Sequence, residues 1–372
     1  MDNRPAVISP NVWIALVVLL AVGVGVVAVL RIDRAGDAGS GLPKRFEYGI
    51  EQYEKIDPAL IEYDLTREIP TEMVAARAVA VGPDDRIYVA GEEGVHVFDP
   101  TGTREASIAL SGRPTCLAVG GAGHAAPGRV YVGVGRNILL KEVFLAKNAE
   151  GSPAATWEIL GKDGKAGKKV HLTSIALAKD DVFVADSANR IVLRYDTSGT
   201  LVGRIGEHDK ERGVAGFAIP SPFFDVAVAP DGLLWVVNPG ALRLEAYTFD
   251  GTLERYWGEE GPAVEAFFGC CNPAHFAILP DGRFVTAEKG LLRVKVYSAD
   301  GHLECAVAGP EQLDSPAGPG GQGQFDEELT AVDVASDSQG RILVLDVAGR
   351  NVRIYERKKP ASQESDADAE PT

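Results

Sequence analysis

Six stretches of the chain repeat one pattern of apolar and polar positions. Each has an apolar strand, a turn that usually contains Asp or Gly, a second apolar strand, a polar loop and a third strand. When the stretches are aligned at the end of the second strand, successive copies lie 43 to 58 residues apart. A period near this length, built from short strands, is typical of a repeated unit of four strands. The six copies begin at Ala78, Cys116, Ser174, Asp225, His275 and Asp333.

The last copy lacks a fourth strand, and the other end of the chain offers one. The copy stops at Glu356, where the polar sequence RKKPASQESDADAEPT begins. Residues 59–69, ALIEYDLTREI, form a strand-like stretch before the first copy. Closure of a ring with this strand removes exposed sheet edges. We therefore predict an all-β fold, a six-bladed β-propeller over residues 59–358. A β-sandwich is the alternative, and it does not explain a missing strand supplied from the opposite terminus.

Two of the copies resemble NHL repeats. Residues 321–356 and residues 170–199 carry the resemblance, the second with the core V-A-D-x-x-N-R-I at residues 184–191. The resemblance extends over about residues 74–356 and is weaker in the first two copies. It implies a six-bladed propeller whose top face is made by the loops into the innermost strands and between the middle strands. Propellers of this kind serve as binding platforms, lyases and hydrolase-like enzymes, so the fold alone does not give the activity.

An apolar segment near the N-terminus predicts a membrane anchor. Residues 12–30, VWIALVVLLAVGVGVVAVL, carry no charge. These nineteen residues would span roughly 28 Å as a helix, about one hydrocarbon thickness. We predict a single transmembrane helix here, between a flank of residues 1–11 and a linker of residues 31–58. A cleaved signal peptide is the alternative, but the run is long for one and no clear A-x-A site follows it.

The charges that flank this segment bear on its orientation. Arg4 lies on one side, and Arg31, Arg34, Lys44 and Arg45 lie on the other. Counted alone, the positive-inside rule keeps the large domain in the cytoplasm. Anchored propellers outside the cytoplasm are the commoner design, and we expect the periplasmic side.

Charge and cysteine content narrow the function classes. The net charge of -16 disfavours binding of nucleic acid through a basic face. Four cysteines in 372 residues argue against a disulfide-built scaffold. Residues 359–372 are acidic and have no apolar pattern, which predicts a disordered tail.

The first residues of the innermost strands are the first candidates for a site. The resemblance implies that they line the central channel as a ring. Asp225, His275 and Asp333 would then lie on three successive blades, where they can ligate a divalent cation such as Ca²⁺ or Zn²⁺ or position a water molecule. The structural alternative is that these polar groups accept hydrogen bonds from amides of neighbouring strands. Cys116 would lie opposite His275 and is interpreted as a small core residue.

The loop FFGCCNPAHF is the second candidate. Cys270 and Cys271 precede His275 by a few residues, which places both sulfurs on the top face. They can form a vicinal disulfide, or one thiolate can join His275 in binding a soft metal such as Cu or Zn. A purely structural loop is the third possibility. Lys289 and Arg293 can add positive charge beside this loop and lower a thiol pKa, but the sequence favours solvated charges beside a turn.

Polar residues at the ends of the second strands are interpreted as caps of the adjoining turns. These residues are Asp186, Asn238, Glu288 and Asp346.

No standard catalytic motif occurs, neither a nucleophile elbow nor HExxH nor CxxC. The sequence therefore favours a membrane-anchored binding or assembly module that presents its top face to a protein partner or a small ligand. The alternative is a metal-dependent enzyme or redox accessory protein with its site at the Cys-Cys-Asn-Pro-Ala-His loop.

Overall fold

The computed structural model describes one domain in detail. It covers Leu19 and residues 53, 55–73, 75–92, 94–142, 155–159, 169–269, 271–313 and 331–359. The chain divides into two units, residues 1–52 and 53–372, and the fold described below belongs to the second. The predicted anchor, apart from Leu19, and the tail from residue 360 onward lie outside the described residues. No helix in the described part of the chain has the length and hydropathy needed to cross a membrane.

The described residues form six antiparallel sheets of four strands each, the blades of a β-propeller. The strand that completes the last blade comes first in the chain, and it is β1 (Tyr63–Pro70). From the innermost strand outward, the first blade consists of β2 (Ala76–Val81), β3 (Ile87–Gly91), β4 (Gly94–Phe98) and β5 (Arg104–Ile108). The second blade consists of β6 (Pro114–Val119), β7 (Arg129–Val134), β8 (Asn137–Glu142) and β9 (Ala155–Glu158). The third blade consists of β10 (Leu172–Leu177), β11 (Asp181–Asp186), β12 (Ile191–Asp196) and β13 (Leu201–Ile205). The fourth blade consists of β14 (Val226–Val228), β15 (Leu234–Asn238), β16 (Arg243–Tyr247) and β17 (Leu253–Trp257). The fifth blade consists of β18 (His275–Ile278), β19 (Phe284–Ala287), β20 (Val294–Tyr297) and β21 (Leu303–Ala308). The sixth blade consists of β22 (Asp333–Ser336), β23 (Ile342–Asp346) and β24 (Asn351–Arg357), with β1 as its outermost strand.

The ring closes as the sequence predicted, with a strand from the N-terminal side. Strand β1 pairs antiparallel with β24, so that Tyr63 faces Arg357 and Pro70 faces Asn351. Both Tyr63 and Ile69 are buried. The strand is shorter than the predicted stretch, because residues 58–60 form a short 3-10 turn before it.

Each blade buries both of its faces against neighbouring blades. In β14, Val226 packs into the core between the third and fourth blades, and the adjacent Ala227 packs against the core between the fourth and fifth. Strands buried on both faces read as continuous apolar runs rather than alternating ones. This explains why all five residues of β15, LWVVN, are buried.

Polar residues at the ends of the second strands accept hydrogen bonds from backbone N–H groups of nearby loops and turns. Asp186 Oδ1 accepts a hydrogen bond from the backbone N–H of His171 at 3.1 Å. Asn238 Oδ1 accepts one from Ala218 at 2.9 Å. The carboxylates of Glu288 and Asp346 likewise accept backbone N–H groups, from Phe268 and Gly349. Asp186 also accepts the N–H of Ala188, so the capping interpretation is confirmed for Asp186 and Asp346. It is wrong for Asn238 and Glu288, whose N–H donors lie 20 residues earlier in the chain.

Candidate functional site

A central cavity of about 510 Å³ runs along the innermost strands of all six blades. All six residues that the sequence placed in the channel ring line it. The ring therefore forms part of the channel wall, where polar groups are shielded from bulk water yet reachable by a bound molecule. Its members are Ala78, Cys116, Ser174, Asp225, His275 and Asp333.

The carboxylates of Asp225 and Asp333 join neighbouring blades. Asp225 Oδ2 accepts the backbone N–H of Phe276, in the next blade, at 2.9 Å. Asp333 Oδ2 accepts the N–H of Val79 at 2.8 Å, across the junction between the last and first blades. These are the hydrogen bonds from amides of neighbouring strands that the sequence analysis gave as the structural alternative for the ring. They fix the orientation of both carboxylates.

His275 lies between these two carboxylates. Its Nδ1 is 3.5 Å from Asp225 Oδ2 and 3.6 Å from Asp333 Oδ1. One possible ligand atom from each of the three residues lies within 4.8 Å of the others, and no second group of this kind occurs among the described residues. The ring of Phe223 stands perpendicular to the imidazole, with 5.6 Å between centroids. The structure therefore brings together three of the five predicted site residues.

Burial and charge shift the titration of this group. Burial lowers the pKa of His275, but the neighbouring charges of Asp333 and Asp225 outweigh it and raise that pKa above its ordinary value. Burial raises the pKa of the Asp333 carboxyl to about 6, although His275 opposes the shift. His275 and Asp333 therefore each hold a proton to a higher pH than an ordinary imidazole and an ordinary carboxyl do.

Cys116 is not available as a thiolate. Its side chain is buried, and burial raises the pKa of the thiol to about 12. The charges of Asp225 and Asp333 add to this increase. The thiol stays protonated at neutral pH, in agreement with its interpretation as a small core residue.

The structure describes the cysteine loop only in part. Cys270 lies outside the described residues, whereas Cys271 is 2% exposed and has a φ of 71°. Cys271 is not part of the group formed by the two aspartates and His275. The side chain of Asn272 holds the loop, since its Nδ2 donates to Phe268 O at 2.6 Å. The vicinal disulfide and the Cys–His metal site both stay predictions.

The two cations expected beside this loop have different surroundings. Arg293 is 1% exposed and pairs with Glu288 at 2.8 Å. Its charge is therefore balanced inside the domain. Lys289 Nζ lies 4.9 Å from the ring centre of Phe223, the residue that packs on His275. Lys289 thus adds positive charge on the His275 side of the loop.

Sequence analysis missed a second layer of residues, one position before the ring. Strands β2, β6 and β10 each have a register shift there, at Arg77, Thr115 and Thr173. These three residues and His275 help to line a small cavity of about 30 Å³, the size that holds a single water molecule. A strict two-residue alternation could not place them, because the shift turns an extra side chain toward the channel.

Comparison with known proteins identifies the fold. No protein-family model and no curated protein matches the chain. A streptogramin B lyase structure matches with a TM-score of 0.50 and 12% identity, over 81% of this chain and all (100%) of that chain. Virginiamycin B lyase from Staphylococcus aureus matches with a TM-score of 0.49 and 13% identity, over 79% of this chain and 99% of that one. The WD40 β-propeller domain of Doa1 matches with a TM-score of 0.48 and 13% identity, over 80% and 97%. At 12% identity the likeness to the streptogramin B lyase structure is one of fold alone, and the number of six blades comes from the sheets of this chain.

Proposed function

We propose that this protein is a membrane-anchored, NHL-like propeller that acts as a binding module and takes a small ligand, or a segment of a partner protein, into its central channel. The observation that carries the proposal is the central cavity with a charged group in its wall. Its volume of about 510 Å³ falls within the range of about 300–1,000 Å³ that is usual for ligand sites. Apolar strand residues around a few fixed polar groups are the common composition of such sites.

The exposure of the lining residues indicates which end of the cavity a ligand would use. Gly121, Gly123 and Lys179 line the cavity beyond the C-terminal ends of their innermost strands, and all three are exposed. At the opposite end, Phe223 and Ala274 belong to a buried apolar cluster next to the ring. Entry past Gly121 and Gly123 is therefore the route that the proposal favours. It lies on the face opposite the cysteine loop, and so differs from the sequence-based expectation that the top face meets the ligand.

A substitution at this rim tests the proposal. A Cβ at Gly123 would have no atom within 4 Å, so the backbone accepts a side chain there and Gly123→Trp adds bulk at the entrance. We expect the wild-type full chain, isolated gently in detergent, to carry a bound molecule in native mass spectrometry, and Gly123→Trp to lose at least nine-tenths of it. Ala122→Trp is the matched control, since Ala122 is exposed in the same loop but does not line the cavity. Equal occupancy in wild type and both variants would contradict the proposed route and site.

The anchor is a separate part of the proposal. It is supported by the uncharged run of residues 12–30, which is long enough to cross a bilayer as a helix. The full chain should stay with the membrane fraction after an alkaline carbonate wash, and a chain that starts at Lys44 should be released. Protease added outside spheroplasts should degrade the propeller if it lies on the periplasmic side. Release of the full chain by carbonate would rule out the anchor.

A further inference from the structure

We propose that Asp225, His275 and Asp333 form a binding site for one divalent transition-metal ion of the Zn²⁺ class. The role of this ion rests on the proposed function: the ion would be the fixed contact point for an oxygen-bearing group of the ligand in the central cavity.

The distances within the group fit shared ligands better than direct hydrogen bonds. His275 Nδ1 lies 3.5 Å and 3.6 Å from the nearest oxygens of Asp225 and Asp333. Hydrogen bonds between nitrogen and oxygen are usually about 2.7–3.2 Å long. Ligand atoms bound tetrahedrally to one ion at about 2.0–2.2 Å lie about 3.3–3.6 Å apart, because the edge of a tetrahedron is about 1.6 times its radius. The two separations between His275 and the aspartates correspond to the second arrangement, and the oxygens of the two aspartates lie within 4.8 Å of each other.

The carboxylates are held in place before any ion binds. Both oxygens of Asp225 accept backbone N–H groups, Oδ1 from Val226 at 2.8 Å and Oδ2 from Phe276 at 2.9 Å. Both oxygens of Asp333 do the same, with Val334 and Val79 as donors at 2.8 Å. Each oxygen keeps a second lone pair for a metal. Hydrogen bonds from the surrounding protein to metal-binding side chains orient those side chains, and the loss of such a bond commonly lowers metal affinity 10- to 100-fold.

The ligand types select the class of ion. Ca²⁺ and Mg²⁺ take oxygen ligands almost entirely, whereas an imidazole nitrogen suits Zn²⁺, Cu²⁺, Fe²⁺ and Ni²⁺. One nitrogen and two carboxylate oxygens leave a fourth tetrahedral position open, which is the pattern of sites that bind a further ligand. All three residues line the central cavity, so a molecule in the cavity could reach that position.

The nearby positive charge does not cancel the attraction. Arg77 lines the same cavity and opposes the binding of a cation. Two carboxylates and one guanidinium leave the site with a net charge of about -1 once His275 has lost its proton, and the neutral imidazole is the form that binds a metal ion. A divalent ion therefore still finds a negative site in a buried setting, where electrostatic attraction is stronger than in water.

Metal titration of the full chain tests the inference. The protein is purified in detergent without a polyhistidine tag, treated with chelator, and titrated with ZnCl₂ and separately with CaCl₂ by calorimetry. We expect one Zn²⁺ per chain, with Ca²⁺ at least a hundredfold weaker. Asp225→Asn, Asp333→Asn and His275→Gln should each weaken Zn²⁺ binding at least tenfold.

Ser174→Ala is the matched control, because Ser174 belongs to the same ring and its Oγ accepts the N–H of Val226 at 3.3 Å without joining the three-residue group. It should leave Zn²⁺ affinity unchanged. His275→Gln leaves in place the backbone N–H groups that donate to the two carboxylates. Its Zn²⁺ affinity therefore tests the inference even if an asparagine variant fails to fold. Unchanged Zn²⁺ binding in His275→Gln, absence of binding in the wild type, or preference for Ca²⁺ would overturn the inference.

The two proposals fail in distinguishable ways. If Zn²⁺ binds at this site but Gly123→Trp keeps its co-purifying molecule, the proposed function is wrong and the metal site stands. If Gly123→Trp loses that molecule but His275→Gln retains full Zn²⁺ affinity, the metal inference is wrong and the binding module stands.

Discussion

A chain that begins at Thr71 is expected to lose cooperative folding, whereas a chain that begins at Tyr53 should keep it. The shorter chain lacks β1, and without it β24 becomes an unpaired edge strand in the last blade. An exposed edge of this kind invites pairing between chains, so the shorter form should also aggregate. Urea denaturation followed by circular dichroism, with size-exclusion chromatography, measures both effects.

The size of this effect follows from how many parts of the ring β1 joins. Tyr63 packs in the core shared by the fifth and sixth blades, and Ile69 packs in the core shared by the sixth and first. The backbone N–H of Glu62 also donates to Ala306 O, on the outer strand of the fifth blade. Loss of β1 thus disrupts the core between the fifth and sixth blades and the core between the sixth and first blades, and it leaves the sixth blade one strand short. Addition of a peptide covering residues 58–70 should restore part of the transition, and equal midpoints for the two chains would contradict this account of closure.

Glu288→Gln is expected to lower the free energy of unfolding by about 3–5 kcal/mol, the usual cost of removing one partner from a buried ionic group. The Glu288 side chain is 0% exposed and contacts Arg293 at 2.8 Å and Lys295 at 2.7 Å. Lys295 is also 0% exposed, and burial lowers its pKa to about 8. Neutralising the carboxylate would leave two buried cations with backbone carbonyls as their main partners.

These cations hold the loop before the cysteines. Lys295 Nζ donates to Val264 O and Ala266 O at 2.8 Å each. We therefore expect Glu288→Gln to expose this loop as well, which faster hydrogen exchange over residues 262–269 would report. Glu304→Gln is the control, since Glu304 pairs with Arg283 at 3.2 Å nearer the surface and should cost less than about 1 kcal/mol. Similar urea midpoints for the two variants would show that the buried group contributes little.

The apolar pattern was enough to predict the order of the blades with their innermost and second strands, but it did not show strands β8 and β9 of the second blade. The second strands end where the alignment placed them, as at Asp186 and Asp346, except β19, which ends one residue earlier, at Ala287. The closing strand was predictable because the last copy visibly lacked one, and the ring residues were predictable because each holds the same position in its copy. These features depend on local patterns that repeat, and repetition makes them readable from the sequence.

Other features depend on contacts between distant segments. Lys295 stands in the strand sequence VKVY, where alternation would put a lysine in solvent, yet it is buried because a loop some 30 residues earlier folds over it. Arg77 faces the channel because of a register shift that no motif marks. The distances that make Asp225, His275 and Asp333 one group also come from the ring's geometry. Sequence could propose these three residues together, but it could not separate them from the cysteine loop.

Anomalous diffraction at the zinc absorption edge, from crystals of the protein grown with ZnCl₂, tests the proposed metal site at Asp225, His275 and Asp333. We expect one strong peak about 2.0–2.2 Å from His275 Nδ1 and from one oxygen of each aspartate. Absence of a peak there, or a peak bound instead by Cys270 or Cys271, would contradict it.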